Sequence, residues 1–133
     1  MRLAVRAVAC VLLSVVALAC DVYVLGVESV QPCDRQVTVI VNTSTPAPAF
    51  SWSPACSVQQ LTVYQSPPAQ SVAWRITKEG GINPGVRYGR VPQGARQVTP
   101  PQPLDRGEGA SVELVSKDST GTARLVGGTG FRP

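Results

Sequence analysis

Apolar and polar residues alternate along most of this chain with the two-residue period of a half-buried strand. The clearest case is Ser71 to Thr77, where Val72, Trp74 and Ile76 face one way and Ala73, Arg75 and Thr77 the other. Gln36 to Val41 sets Val37, Val39 and Val41 against Thr38 and Ile40, and Ser57 to Tyr64 sets Leu61 and Val63 against Gln60, Thr62 and Tyr64. Ala110 to Ser116 opposes Val112 and Leu114 to Glu113 and Val115, while Asp21 to Glu28 opposes Val22 and Val24 to Tyr23, Leu25 and Val27. Val86 to Val91 reads as a further strand in which Gly89 predicts a bulge or a close backbone approach. Asp118 to Gly121 is a turn by composition, so Thr122 to Val126 is predicted to close the fold antiparallel to the strand before it.

Proline, glycine and asparagine separate these runs. Asn42, Thr43 and Ser44 end one and form an Asn-x-Ser sequon. Pro46 to Pro54 reads as an extended loop around Phe50 and Trp52, and Pro67 and Pro68 interrupt the chain before Ser71. Glu79, Gly80 and Gly81 predict a turn, Asn83, Pro84 and Gly85 a second, and Pro92 and Gly94 a third; Pro100, Pro101 and Pro103 make a stiff connection. No segment has a helical period outside the first twenty residues. The expected class is therefore all-β: a small antiparallel β-sandwich of about seven strands preceded by an N-terminal signal helix, with a small barrel as the alternative. The sandwich is expected over residues 20–126. Gly127 to Pro133 reads as a loose tail from which Phe131 can tuck against the core.

The first twenty residues follow a different pattern. Arg2 and Arg6 precede the apolar run Ala7 to Leu18, which only Ser14 interrupts. That is the layout of an export signal, and the run is shorter than the roughly 20 apolar residues a bilayer span needs. Ala17 and Ala19 form a small-x-small cleavage site, and Cys20 follows at once. Cleavage after Ala19 would remove residues 1–19. An uncleaved anchor and simple secretion are the competing readings, because Val22 to Val27 continues the apolar character past Asp21.

Ala17, Leu18, Ala19 and Cys20 resemble the lipobox of bacterial envelope lipoproteins, with Ala17 where that family usually carries leucine. The resemblance implies a lipid on Cys20, membrane attachment through it, and a domain facing the periplasm or exterior. Asp21 directly after the cysteine resembles an inner-membrane retention signal of some Gram-negative bacteria. The alternation of strands and turns from Val72 to Val115 is similar to that of immunoglobulin-like or fibronectin type III-like sandwiches in envelope lipoproteins of high-GC bacteria. This likeness is one of pattern and transfers no site.

Cysteine parity adds an independent argument. Cys10 lies in the export segment, so Cys20, Cys33 and Cys56 remain, and three cannot all pair. If Cys20 carries a lipid, Cys33 and Cys56 form an even pair in an oxidising compartment. A bridge between them is worth about 3 kcal/mol by loop-closure entropy.

Length and composition narrow the function. Removing 19 of 133 residues leaves 114, enough for one domain. Twelve Gly, twelve Pro and seven aromatic residues describe a chain full of turns. The net charge of +4 includes Arg2 and Arg6. The remainder is too weakly basic to imply a nucleic-acid partner. Arg75, Lys78, Arg87, Arg90 and Arg96 nevertheless fall in one segment opposed only by Glu79, which reads as solvated strand faces or as a patch for an acidic glycan or lipid headgroup.

The chain contains no histidine, which excludes a Ser/His/Asp triad, a Cys/His pair and imidazole metal ligation within it. No metal, cofactor or catalytic residue is expected. Asp105, Glu108 and Glu113 are the only clustered carboxylates, and a small carboxylate-based hydrolase would need two of them in one cleft. Two binding readings remain: a module that docks a protein partner, and a carbohydrate- or peptidoglycan-binding module that stacks sugars on Phe50 and Trp52. Exposed rings would favour the second.

Overall fold

The computed structural model describes residues 30–65 and 70–133. Residues 1–29, which hold the export signal, Ala19, Cys20 and the strand expected over Asp21 to Glu28, lie outside the described residues. Eight strands follow in order: β1 (Thr38–Asn42), β2 (Ala49–Ser53), β3 (Val58–Gln65), β4 (Ser71–Ile82), β5 (Val86–Arg87), β6 (Arg96–Thr99), β7 (Ala110–Lys117) and β8 (Ala123–Phe131). They build an all-β sandwich of two antiparallel sheets, one ordered β1-β2-β5 and the other β6-β4-β3-β7-β8. None of the described residues is helical.

The predicted alternation places the core. Trp74 and Ile76 of β4, Leu61 and Val63 of β3, and Val112 and Leu114 of β7 point inward from the larger sheet, and all six are fully buried. Phe50 and Trp52 of β2 meet them from the smaller sheet, with Val37, Val39 and Val41 packed beside them. Burying side chains of this size contributes roughly 1.5–3 kcal/mol each, so these positions dominate the cohesion of the sandwich.

Cys33 and Cys56 form the expected disulfide, closing a sequence separation of 23 with Cα atoms 4.9 Å apart. Both cysteines are buried. Around the bridge, the chain before β1 runs parallel to the start of β3: Cys33 N donates to Ser57 O and Ser57 N to Gln31 O. The disulfide thus fixes the end of the sandwich at which the chain enters.

The sheets also join along one flank. β7 and β8 slip register between Leu114 and Val115, because Leu114 faces Gly127 while Val115 faces Leu125. Val126 is the extra residue of this bulge, and its carbonyl accepts a hydrogen bond from Val37 N at 2.8 Å. The close crossing excludes a side chain at residue 127: a Cβ there would stand 2.7 Å from Val37 Cγ2 and 3.0 Å from Val37 O.

Five sequence expectations change. Pro46 to Pro54 is not all loop, since Ala49 to Ser53 is the middle strand of the smaller sheet; the flanking prolines lie at its ends, where no ladder bond is needed. Glu79 to Gly81 does not end β4, which runs on to Ile82 through a bulge opposite Gln59. The Gln59 amide nitrogen bonds the carbonyls of Glu79 and Lys78 there at 2.8 and 3.1 Å. Val86 to Val91 is a strand only to Arg87, because Arg90 N bonds Arg87 O and Gly89 takes φ of 77° in that turn. Arg96 to Thr99 is a strand that the alternation did not reveal. Residues 127–131 are not a loose tail but continue β8 against β7, and Phe131 meets Phe50 edge-on with ring centroids 5.6 Å apart.

Candidate interaction surfaces

The residues singled out for binding separate into three groups. Phe50 and Trp52 are core residues, 0% and 3% exposed, so neither ring can stack on a sugar. The Trp52 indole N–H donates to Cys56 O at 2.7 Å, which anchors the ring beside the disulfide. The aromatic sugar platform is therefore overturned: the alternation of Phe50 and Trp52 with Ala49, Ser51 and Ser53 marks a strand with both rings on its inner face.

Arg75, Arg87 and Arg90 do not form one patch. Arg75 lies on the outer face of the larger sheet, where its Nε donates to Thr62 Oγ1 at 3.1 Å. Arg87 projects from β5 of the smaller sheet, its neighbour Val86 being buried, and donates to Thr45 Oγ1 at 3.1 Å. Arg90 is exposed in the following turn. The sandwich thus divides the basic segment between its two sheets.

The carboxylates are divided as well. Asp105 accepts a hydrogen bond from Gln65 Nε2 at 3.0 Å beside the top of β3, whereas Glu113 belongs to the outer row of β7 opposite Thr62 and Gly128. Among the described residues there is no group of three or more His, Cys, Asp or Glu arranged to hold a metal. Asp118 is used locally: its Oδ1 accepts from Thr120 Oγ1, Thr120 N and Thr122 N and shapes the β7–β8 turn. These bonds, the Thr120 hydroxyl first, hold its carboxyl below the usual range.

What the sheet does assemble is a cross-strand row on the outer face of its disulfide end. Register places Arg96 beside Thr77, Thr77 beside Gln60, Gln60 beside Val115, and Val115 beside Leu125. Gln59, Gln60, Thr77, Val115 and Ala123, together with Lys78, Glu79 and Lys117, line a shallow depression of about 300 Å³. Leu125 at the end of the row is 50% exposed. The sequence hid this group because its members come from five strands whose register no local pattern specifies. The alternation of β3, β4 and β7 alone did mark Gln60, Thr77 and Val115 as outward-facing.

A second depression, of about 460 Å³, lies at the disulfide end between Gln31 to Asp34 and Lys117 to Ser119, with Arg124 on its edge. A third, of about 350 Å³, lies between the β1–β2 loop, Leu104 and Arg106. Asn42 stands at the start of that β1–β2 loop, its Oδ1 accepting from Ser44 N at 2.9 Å. Comparison with known proteins gives no match, whether to a family model, a curated protein or a solved structure.

Proposed function

We propose that the protein is an exported, lipid-anchored, non-enzymatic module of a bacterial cell envelope, attached to a membrane through Cys20 and presenting its sandwich for interaction. The observation that carries the reading is the Cys33–Cys56 disulfide. Such bonds persist in oxidising compartments outside the cytosol. The pairing also leaves Cys20 as the one unmatched cysteine of the exported chain, at the position where the lipobox-like stretch needs it.

The fold supports this assignment with a consistent geometry. The chain enters the sandwich at the disulfide end, where Val30 O and Gln31 O bond Ser57. The segment from Cys20 to Val30 reaches at most about 35 Å when fully extended. The disulfide end is then the membrane-proximal end, and the β1–β2 and β6–β7 loops face away. The non-enzymatic part of the reading rests on the lack of histidine and on the separate employment of Asp105 and Glu113.

Replacing Cys20 by Ala tests the anchor. The variant is expected to move from the membrane pellet to the soluble fraction of cells, while the parent protein stays in the pellet. A variant that still pellets like the parent contradicts the proposal and favours a spanning segment; a parent protein that is already soluble favours simple secretion.

A further inference from the structure

We infer that the outer edge of β1 pairs with the same edge of a second copy of this chain, antiparallel and with Ile40 facing Ile40. The inference goes beyond the reading of the protein as an anchored module and stands on the geometry of the smaller sheet.

Direction of the backbone is the first argument. β1 ends the order β1-β2-β5, so on its far side it pairs with no other strand among the described residues. Val37 N points to that side, where it bonds Val126 O. Successive residues of a strand direct their N–H and C=O groups to alternate sides. Val39 and Val41 therefore direct theirs to the far side, and Thr38, Ile40 and Asn42 direct theirs to β2. An edge of this kind, with a donor and an acceptor on every second residue, is answered by another polypeptide strand.

Comparison of the edges is the second. Strand edges that stay unpaired are short, charged, bulged or covered. β5 has two residues, one of them Arg87, and β6 carries Arg96 and runs into Pro100 and Pro101. β8 carries Arg124, a bulge at Val126 and the bond from Val37. β1 has none of these devices along Thr38 to Asn42: the five residues are uncharged, include no proline and pair with β2 without a register shift. They also leave Ile40 56% exposed.

Self-match is the third, and it names the occupant. A two-fold axis at Ile40 sets Val39 against Val41 of the second copy and Val41 against its Val39, so that each pair exchanges two N–H···O=C bonds from groups already pointing outward. The same axis brings the two Ile40 side chains together on the outer face, in the closely spaced position without hydrogen bonds, and sets each Thr38 opposite an Asn42. No charge is buried. Five residues a side is far fewer than the roughly 20–30 of a standard interface, so the dimer is weak and depends on concentration. Antiparallel pairing turns the two disulfide ends in opposite directions, and the reach of about 35 Å from Cys20 to Val30 lets two copies on one membrane span that offset.

Cysteine cross-linking reads the register. Cys33 and Cys56 bond each other, so a cysteine added to β1 supplies a new thiol whose partner is located by peptide mapping. The full protein, extracted in detergent, is oxidised with copper phenanthroline. Ile40→Cys is expected to yield about tenfold more disulfide dimer than Thr38→Cys or Asn42→Cys alone, because only residue 40 faces its own copy within bridging distance. An equal mixture of the Thr38→Cys and Asn42→Cys proteins should cross-link between the two positions. All three side chains are exposed, so each variant should keep the unfolding midpoint of the parent. No dimer through residue 40, or equal dimer from all three single variants, overturns the pairing. An Ile40→Cys adduct formed in host membranes with the mass of a different protein, and never that of two copies, also overturns it. A link that maps to Cys20 shows that residue to be free of lipid; it counts against the anchor, while the yield through residue 40 still decides the pairing.

Discussion

Tyr88 shows how one side chain closes a gap in this small core. Its ring meets Trp74 edge-on with centroids 5.3 Å apart, and its hydroxyl lies 2.6 Å from Gln102 O and 3.2 Å from Ala73 O. It thereby ties the connection after β6 to the first residues of β4. Burial pushes the phenol up to about 12, against a smaller lowering by the hydrogen bond at Gln102. An acid whose folded pKa lies above its unfolded value keeps a proton in the native state that the unfolded chain has released. Stability from this group is thus full below the unfolded value of 10.0 and is lost as pH rises to about 12. Tyr88→Phe should cost about 0.5–1.5 kcal/mol at neutral pH through the lost hydroxyl. Denaturant titrations should also show the difference between parent and variant shrinking between those pH values; a difference that stays constant would contradict the account.

At the scale of elements, the flank between β1 and β8 is the most exacting join. The bulge at Val126 turns a carbonyl toward Val37, and Gly127 then allows the strands to cross. Gly127→Ala should destabilise the domain by about 1–3 kcal/mol, the usual range for forcing a methyl group into packed structure. Gly80→Ala, where a Cβ has nothing within 4 Å, should change stability little. Equal unfolding midpoints for the two variants would show that the crossing is not tight. The same join explains what could be read from the sequence. Strands with one buried and one solvated face, such as β3, β4 and β7, announce themselves by alternation. β8 beyond Val126 does not, because Gly127, Gly128 and Gly130 carry no side chains and its strand character comes from β7. β6 is an edge strand with Arg96, Gln97 and Val98 all exposed, so no alternation marked it. Phe50 and Trp52 lay in plain view, but the prolines around them suggested a loop, and only the pairing of β2 with both neighbours shows why they are buried.

For the whole molecule, the fold class was more legible than the surface groups that the fold assembles. Cysteine parity, with Cys10 assigned to the export segment and Cys20 to a lipid, predicted the Cys33–Cys56 bridge, and the run of short strands between turns predicted the sandwich. The cross-strand row from Arg96 to Leu125 was not legible, because it exists only once five strands are in register. The described chain enters the sandwich at its disulfide end, so a lipid on Cys20 would hold that end near the bilayer and leave the β1–β2 loop farthest away. The proposed function depends on that attachment. The intact mass of the protein extracted from membranes of its own host measures it most directly. The expected mass is that of residues 20–133 with the two thiols of Cys33 and Cys56 oxidised and acyl chains added at the amino-terminal cysteine. The mass of all 133 residues, or of residues 20–133 with nothing added, would contradict the account.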